Sequence, residues 1–410
     1  MLLIHNQAGR RGIAVVGFIL LSVLPSRGWC QYEVEQASPF WFRGLLDLRV
    51  VRGGSAPSWV NRGPGKTRYG GRFDSQGFDR VTRFKLSHLA LEFGGTLPWE
   101  ITAQAQLNWE TDIGDDIHPL LIEAFFRKEW GEWEQGWGLQ VGAMQLPFSL
   151  EHTGPAWTPL YTLTPSALNT WIWEEGRLVG AEGEWWRMLP IGLRLGVVGG
   201  FGFGPDLFGR LLAVRGWVLS DAQLGINSRV PLPAQGIRTS IYDEQDHRPA
   251  LYTLFTISDE RERAALRLGY FDNLGDQGRS GVWETRFGTV GALFHPVPQM
   301  DLLVQYLEGT AHVRTPANDT GLSTFYALLS YHHRGHRVSV RYDTFRLREL
   351  DDAPPRTREH GDGVTLAYFF EVGLHHRIGF EYIFLHSHRP ARSRTDPSDD
   401  GWQISYRFRY

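Results

Sequence analysis

Arginine is the residue type whose placement could most directly do chemistry in this chain. Of 42 basic residues, only Lys66, Lys85 and Lys128 are lysines. Guanidinium is planar, permanently charged and rich in donors, so it suits both anion recognition and ion-pair networks. Eight arginines fall on faces that we assign to the interior of the fold: Arg127, Arg194, Arg215, Arg263, Arg267, Arg286, Arg337 and Arg341. They predict either a cationic path through water or a charge-paired wall, and pairing is the commoner fate of any single arginine.

A second candidate feature is a loop that contains acids and aromatics but no lysine or arginine, Gln145–Gly176. Its notable side chains are Glu151, His152, Trp157, Tyr161, Trp171 and Trp173. The rings could stack on sugars or aromatic solutes, or they could pack the loop against its surroundings. We favour packing, the common fate of large aromatics.

Other chemistry has little support in the sequence. Histidines cluster at His332, His333 and His336 and at His375 and His376, but no acidic or thiolate spacing accompanies them. The nucleophile motif Gly-x-Ser-x-Gly does not occur. We therefore predict no metal site, no cofactor and no enzymatic activity.

The elements that must position these residues are strands of about ten residues with a period of two. In the clearest, Trp99–Glu110, apolar side chains from Ile101 to Trp109 alternate with polar ones. Short and long connections also alternate along the chain, which is typical of a membrane barrel. The pattern predicts an all-β, closed antiparallel transmembrane β-barrel of 16 strands, or of 18 if the weak candidates Phe40–Val50 and Leu224–Val230 are counted.

The N-terminal segment is typical of a secretory signal peptide. Arg10 and Arg11 precede a short apolar stretch, Gly12–Leu24. We predict that residues 1–30 are removed and that residues 31–410 form one barrel without cysteine, since Cys30 is the only one. The formal net charge of -3 disfavours a nucleic-acid partner.

The last strand, Gly401–Tyr410, carries an aromatic and apolar face that ends on Phe408 and Tyr410. This segment resembles the closing strand of a bacterial outer-membrane β-barrel. The resemblance implies that Tyr410 and Phe408 form part of the signal that the barrel-assembly machinery reads.

A longer resemblance covers about forty residues. Val141–Glu151 contains Pro-Phe-Ser-Leu-Glu and is followed by Pro165–Asn169 and Arg177–Gly180. This succession resembles the phosphate-selective porin O and P family, which implies a homotrimeric diffusion channel narrowed by an inward-folded loop. That family often has a lysine where this chain has Gln145, so phosphate selectivity does not carry over with the resemblance.

Together these features predict an outer-membrane porin in contact with outer-membrane lipid. It would pass small hydrophilic solutes or ions, with anions such as phosphate among the candidates. Two alternatives stay open: a barrel hydrolase of the outer membrane, and a structural or adhesin-like barrel whose lumen is plugged.

Overall fold

The computed structural model describes residues 40–75, 77–110, 119–232, 238–314, 318–351, 358–390 and 399–410. The predicted signal peptide, residues 1–30, lies outside these ranges, so its removal stays a prediction.

Sixteen antiparallel strands close into one barrel, in which each strand pairs with its neighbours in the chain and the first strand pairs with the last. In chain order they are β1 Phe40–Arg52, β2 Thr82–Leu97, β3 Ile101–Trp109, β4 Leu120–Gly131, β5 Gln135–Gln145, β6 Arg177–Met188, β7 Leu193–Phe203, β8 Ala250–Asp259, β9 Ala264–Asp272, β10 Trp283–Phe294, β11 Met300–Val313, β12 Asn318–His333, β13 His336–Glu349, β14 Glu359–Val372, β15 His376–His388 and β16 Gly401–Arg409. The predicted fold class is therefore confirmed, with the lower of the two strand counts.

The barrel closes where β1 meets β16. Gly44 and Tyr410 exchange two backbone hydrogen bonds of 3.0 Å, so the terminal aromatic residue lies at the seam. Of the two weak strand candidates, Phe40–Val50 is part of β1, whereas assigning Leu224–Val230 to the barrel is wrong. Leu224 and Val230 are fully buried inside a loop, and only Arg229–Pro231 pairs there, with Arg238–Ser240.

The period of two separates a lipid-facing surface from an interior surface, as in other membrane barrels. On β9, Leu266, Leu268 and Tyr270 are 41 to 47% exposed and point outward. On β16, Gln403 and Ser405 point inward and are buried. Within the described ranges, no helix is both long and apolar enough to cross a membrane.

Connections on the two rims differ in length and behaviour. On one rim, which we call the short-turn rim, two to five residues join consecutive strands. On the other, the long-loop rim, three connections fold into the barrel. We call them the first loop (residues 53–81), the constriction loop (residues 146–176) and the fourth loop (residues 204–249). The constriction loop contains helix α1, Ala167–Glu175, and the fourth loop contains helix α2, Arg210–Arg215.

These loops meet the barrel wall in an apolar core inside the lumen. Phe271, Phe287 and Phe345 point inward from the wall and are at most 2% exposed. They join one buried cluster with Trp171 of the constriction loop and Trp217 of the fourth loop. Burial of a large aromatic side chain contributes a few kcal/mol. The hydrophobic effect therefore holds the loops inside the barrel.

Close approach of the constriction loop depends on one glycine of the wall. A Cβ atom at Gly269, on β9, would lie 2.6 Å from the ring of Phe148. Since such a contact is too short for a real side chain, Gly269 leaves the space that the Phe148 ring occupies.

Candidate pore: a packed long-loop half and an arginine vestibule

The constriction loop crosses the lumen from β5 to the opposite wall. Glu151 forms an ion pair of 3.1 Å with Arg341 of β13. The backbone N–H of Ala167 donates to Asp343, also on β13, at 3.1 Å, and that of Leu163 donates to Glu381 of β15 at 2.6 Å. The predicted inward-folded loop is therefore present, and its anchors are charged groups of the wall.

Glu151 organises the loop from within. Its carboxylate accepts hydrogen bonds from the backbone N–H of Ser166 at 3.0 Å and from the side chain of Asn169 at 2.6 Å. Ser166 is the N-cap of α1, where its hydroxyl accepts from the N–H of Asn169. Glu151 is fully buried, so it holds the helix start against Arg341 and has no access to a water-filled path.

The predicted aromatic residues of the loop divide by position. Trp171 is buried in the central core, with its ring 4.8 Å from Phe208 of the fourth loop. Trp173 is also buried and stacks on His152 with ring centroids 4.3 Å apart. Tyr161 is buried beneath Arg337, and Trp157 alone is partly exposed. Packing accounts for most of these rings.

Ser149 and His152 are the one close serine–histidine contact within the constriction loop, with 2.9 Å between Oγ and Nδ1. Ser149 Oγ also accepts from the backbone N–H groups of Glu151 and His152, as a turn-capping residue does. Burial lowers the pKa of His152 to about 3. The pair therefore stabilises a turn within the loop.

The other two acids of the constriction loop are buried as well. Glu174 forms an ion pair with Arg215. Glu175 accepts from the indole N–H of Trp171 at 2.5 Å and from the backbone N–H of Leu211 at 3.0 Å, and burial raises its pKa to about 7. These two buried acids therefore join the constriction loop to the fourth loop.

A buried ion network, which sequence reasoning did not identify, joins the first and fourth loops to the wall. Asp221 of the fourth loop pairs with Arg49 of β1 at 2.7 Å and with Arg68 of the first loop at 3.3 Å. Arg68 also pairs with Glu110, at 2.5 Å. Burial alone would raise the pKa of Asp221, but the two guanidinium groups hold it well below its ordinary value. Asp221 is therefore charged at physiological pH and fixes both loops to β1.

A second buried network anchors the same two loops to β14, three strands from β1 around the barrel. Lys66 of the first loop pairs with Glu359 of β14 at 2.6 Å and donates to the carbonyl of Arg215 at 2.7 Å. Arg389 reaches Glu359 at 3.5 Å and donates to the carbonyl of Ala213 at 2.6 Å. One feature of the sequence could have pointed to the buried ion pair of Lys66: it is one of only three lysines in the chain.

Inward-facing arginines gather near the short-turn rim, in a group that we call the arginine vestibule. It consists of Arg127, Arg194, Arg267, Arg337, Arg377 and Arg407. The side chains of Arg127, Arg194 and Arg337 are 14 to 16% exposed, in contrast to the fully buried Arg341 deeper in the lumen. Water therefore reaches these three arginines, whereas Arg267, Arg377 and Arg407 are buried.

Carboxylates accompany most of the vestibule arginines. Their ion pairs are Arg127–Glu184 at 2.6 Å, Arg194–Glu262 at 3.8 Å, Arg337–Asp301 at 2.7 Å, Arg377–Glu371, and Arg407–Asp47 at 2.7 Å. Because each of these cations faces an anion, the vestibule carries alternating charge and little net positive field.

Three of the eight predicted lumen arginines lie elsewhere. Arg215 ends helix α2, so it is inside the barrel but not on its wall. Arg263 is in a short turn, where it is 64% exposed and pairs with Asp259. Arg286 points to the outer face with Glu284, because its neighbours Thr285 and Phe287 take the inward positions of β10. For Arg286, the predicted alternation is one residue out of phase.

Comparison with known proteins identifies the architecture. No family model and no curated protein sequence matches the chain. Among solved structures, the anion-selective porin from Comamonas acidovorans aligns with a TM-score of 0.54 and 12% identity, over 90% of this chain and 99% of that chain. The outer membrane channel DcaP of Acinetobacter baumannii aligns with a TM-score of 0.55 and 10% identity, over 90% and 97%. OmpF of Salmonella typhi, in complex with daunomycin, aligns with a TM-score of 0.53 and 12% identity, over the same shares. The chain therefore has the fold of the outer-membrane porins.

Proposed function

We propose that this chain is an outer-membrane channel for small hydrophilic solutes and ions, whose conductance is limited by the loops packed into its lumen. The observation that carries the proposal is the division of the interior. The short-turn half presents partly exposed ion pairs, as a water-filled passage does. The long-loop half is packed by the constriction and fourth loops around Trp171 and Trp217, and Trp59 of the first loop packs against the fourth loop in a second cluster. Solutes would pass through the aqueous space that these loops leave free, or that they expose when they move.

Weak ion selectivity follows from the pairing of the vestibule arginines. A tight phosphate site needs several donors free to turn toward the anion. In the vestibule, Arg127, Arg337 and Arg407 already bind carboxylates at 2.6 to 2.7 Å. An anion would have to displace those partners, so we expect chloride, phosphate and small cations to be treated alike.

The selectivity is tested by chloride current through the purified protein in planar bilayers, titrated with phosphate. We expect no block at micromolar phosphate and a reversal potential close to zero in a salt gradient. Glu184→Gln and Asp301→Asn, which remove one carboxylate partner from Arg127 and from Arg337, should each shift the reversal potential toward anion preference. Micromolar block of the unmodified protein would mean that the arginines form a dedicated phosphate site.

A permanently closed structural barrel is the second candidate, and the packing of the long-loop half favours it. The two candidates differ in one measurement. A channel has a finite conductance that voltage or mild denaturant raises reversibly, whereas a closed barrel has none under either condition.

Assembly and localisation belong to the same proposal. A porin-like barrel of sixteen strands with a lipid-facing apolar surface is suited to the outer membrane of a Gram-negative-type bacterium. We propose a homotrimer of the kind that the resemblance to the phosphate-selective porin O and P family implies. Tyr410 at the barrel seam would serve with Phe408 as the signal for the assembly machinery.

A further inference from the structure

Three carboxylates converge where the fourth loop leaves and re-enters the barrel. Asp206 lies three residues after the end of β7, and Glu244 and Asp246 lie shortly before β8 begins. One oxygen from each carboxylate lies within 4.8 Å of one from the other two. The two ends of the loop run side by side here, since Asp243 N–H donates to the carbonyl of Gly204 at 2.9 Å.

Asp206 has a binding capacity that the protein does not use. The residue is fully buried. Its Oδ2 accepts from the backbone N–H groups of Gln245 and Asp246, at 2.5 and 3.0 Å. Its Oδ1 is also buried, yet it has no hydrogen-bond partner among the described residues. A buried carboxylate oxygen without a partner is costly, and a bound cation is one way in which proteins satisfy such an oxygen.

The arginines near this cluster do not neutralise it. Arg248 pairs with Asp276 at 3.5 Å, and Arg279 donates to the backbone carbonyl of Gln245. Within the described part of the chain, no ion pair involves any of the three carboxylates. Three like charges at such short range repel each other, and a cation bound between them would relieve that repulsion.

We propose that Asp206, Glu244 and Asp246 bind a divalent cation, for which calcium is the best fit. Calcium takes six to eight oxygen ligands in irregular geometry and accepts several carboxylates. The backbone N–H groups that orient the carboxylates leave lone pairs for the ion, and water would complete the coordination. The cation joins both ends of the fourth loop, so it stabilises the base of the element that packs the lumen.

The site is tested on the full-length folded barrel after treatment with chelator, using Tb³⁺ as the probe. Trp283 donates its backbone N–H to the carbonyl of Asp206 at 2.7 Å, so this tryptophan is a near neighbour of the cluster and the expected donor for sensitised Tb³⁺ luminescence. We expect one saturable site per chain, displaced by Ca²⁺ with a Kd at or below about 1 mM. Non-saturable binding, or no displacement by Ca²⁺ below that concentration, would overturn the proposal without any variant.

A matched pair of variants separates a constructed site from general negative charge. Asp206→Asn removes one ligand charge and should weaken Ca²⁺ binding at least about tenfold, as loss of a metal-site group does. Asp243→Asn removes the same charge from the same loop, but Asp243 is outside the cluster and accepts from the side chain of Gln245 at 2.6 Å. The Kd of the Asp243→Asn variant for Ca²⁺ should stay close to that of the unmodified protein. Equal loss in both variants, with both barrels still resistant to detergent before boiling, would contradict the assignment.

Discussion

Excision of most of the fourth loop is expected to raise the single-channel conductance severalfold. Replacement of residues 206–247 by a short Gly-Ser linker should leave the barrel intact, because Gly202 of β7 already pairs with Ala250 of β8. The excision removes Phe208 and Trp217 from the apolar core and Asp221 from the buried network. Water should then fill the space that these side chains occupied, and conductance rises with the area of the aqueous path.

A matched deletion should leave the conductance unchanged. In the hairpin formed by Arg72–Asp74 and Gly77–Asp79 in the first loop, Phe73 is 72% exposed and Arg72 pairs with Asp79 at the base. Removal of residues 73–78 shortens a long loop without disturbing the lumen. If the conductance stays the same after each of the two deletions, the fourth loop does not limit passage.

Arg341→Ala should strongly destabilise the folded barrel. Arg341 is fully buried and pairs with Glu151 and Asp343, and it donates to the carbonyls of Thr164 and Pro165. Its removal leaves two buried carboxylates without their cation. The expected loss is about 3–5 kcal/mol of unfolding free energy. Urea unfolding in lipid vesicles, followed by tryptophan fluorescence, measures it.

Arg348→Ala is the control on the same strand. Arg348 points outward and forms an exposed pair with Glu308 at 3.1 Å. Exposed pairs contribute about 0–1 kcal/mol, so the unfolding free energy of this variant should stay close to that of the unmodified protein.

Arg341→Ala should also make the constriction loop sensitive to protease while the barrel persists. Equal stability of the two variants would show that Arg341 does not anchor the loop.

Strand alternation made most of the fold predictable from the sequence. The outward faces of β9 and β16 follow from their period of two, since lipid on one side and protein on the other enforce it at every position. The inward-folded constriction loop was predicted from the family resemblance around Val141–Glu151. Arg286 was assigned to the wrong face of its strand. The residue at which a strand begins decides which positions face inward, and Gly-rich and Asp-rich connections give no clear sign of that residue.

The contents of the lumen could not be predicted in the same way. Leu224 and Val230 alternate as a strand would, but they pack in a cluster of the first and fourth loops and do not face lipid or the barrel wall as strand residues do. The network of Asp221 with Arg49 and Arg68 joins residues more than 150 positions apart. Only the three-dimensional course of the loops brings these groups together, so residue spacing carried no sign of it.

Labelling of single cysteines tests the division of the lumen most directly. Cys30 is the only cysteine of the chain, so Cys30→Ser gives a background without any other thiol. Glu371 and Thr365 both point inward from β14, but the Glu371 side chain is 25% exposed whereas Thr365 is fully buried. We expect Glu371→Cys in the folded barrel to react readily with a hydrophilic maleimide. Thr365→Cys should react many times more slowly until urea unfolds the protein. Equal rates in the folded state would mean that water fills the long-loop half and that the loops do not occlude it.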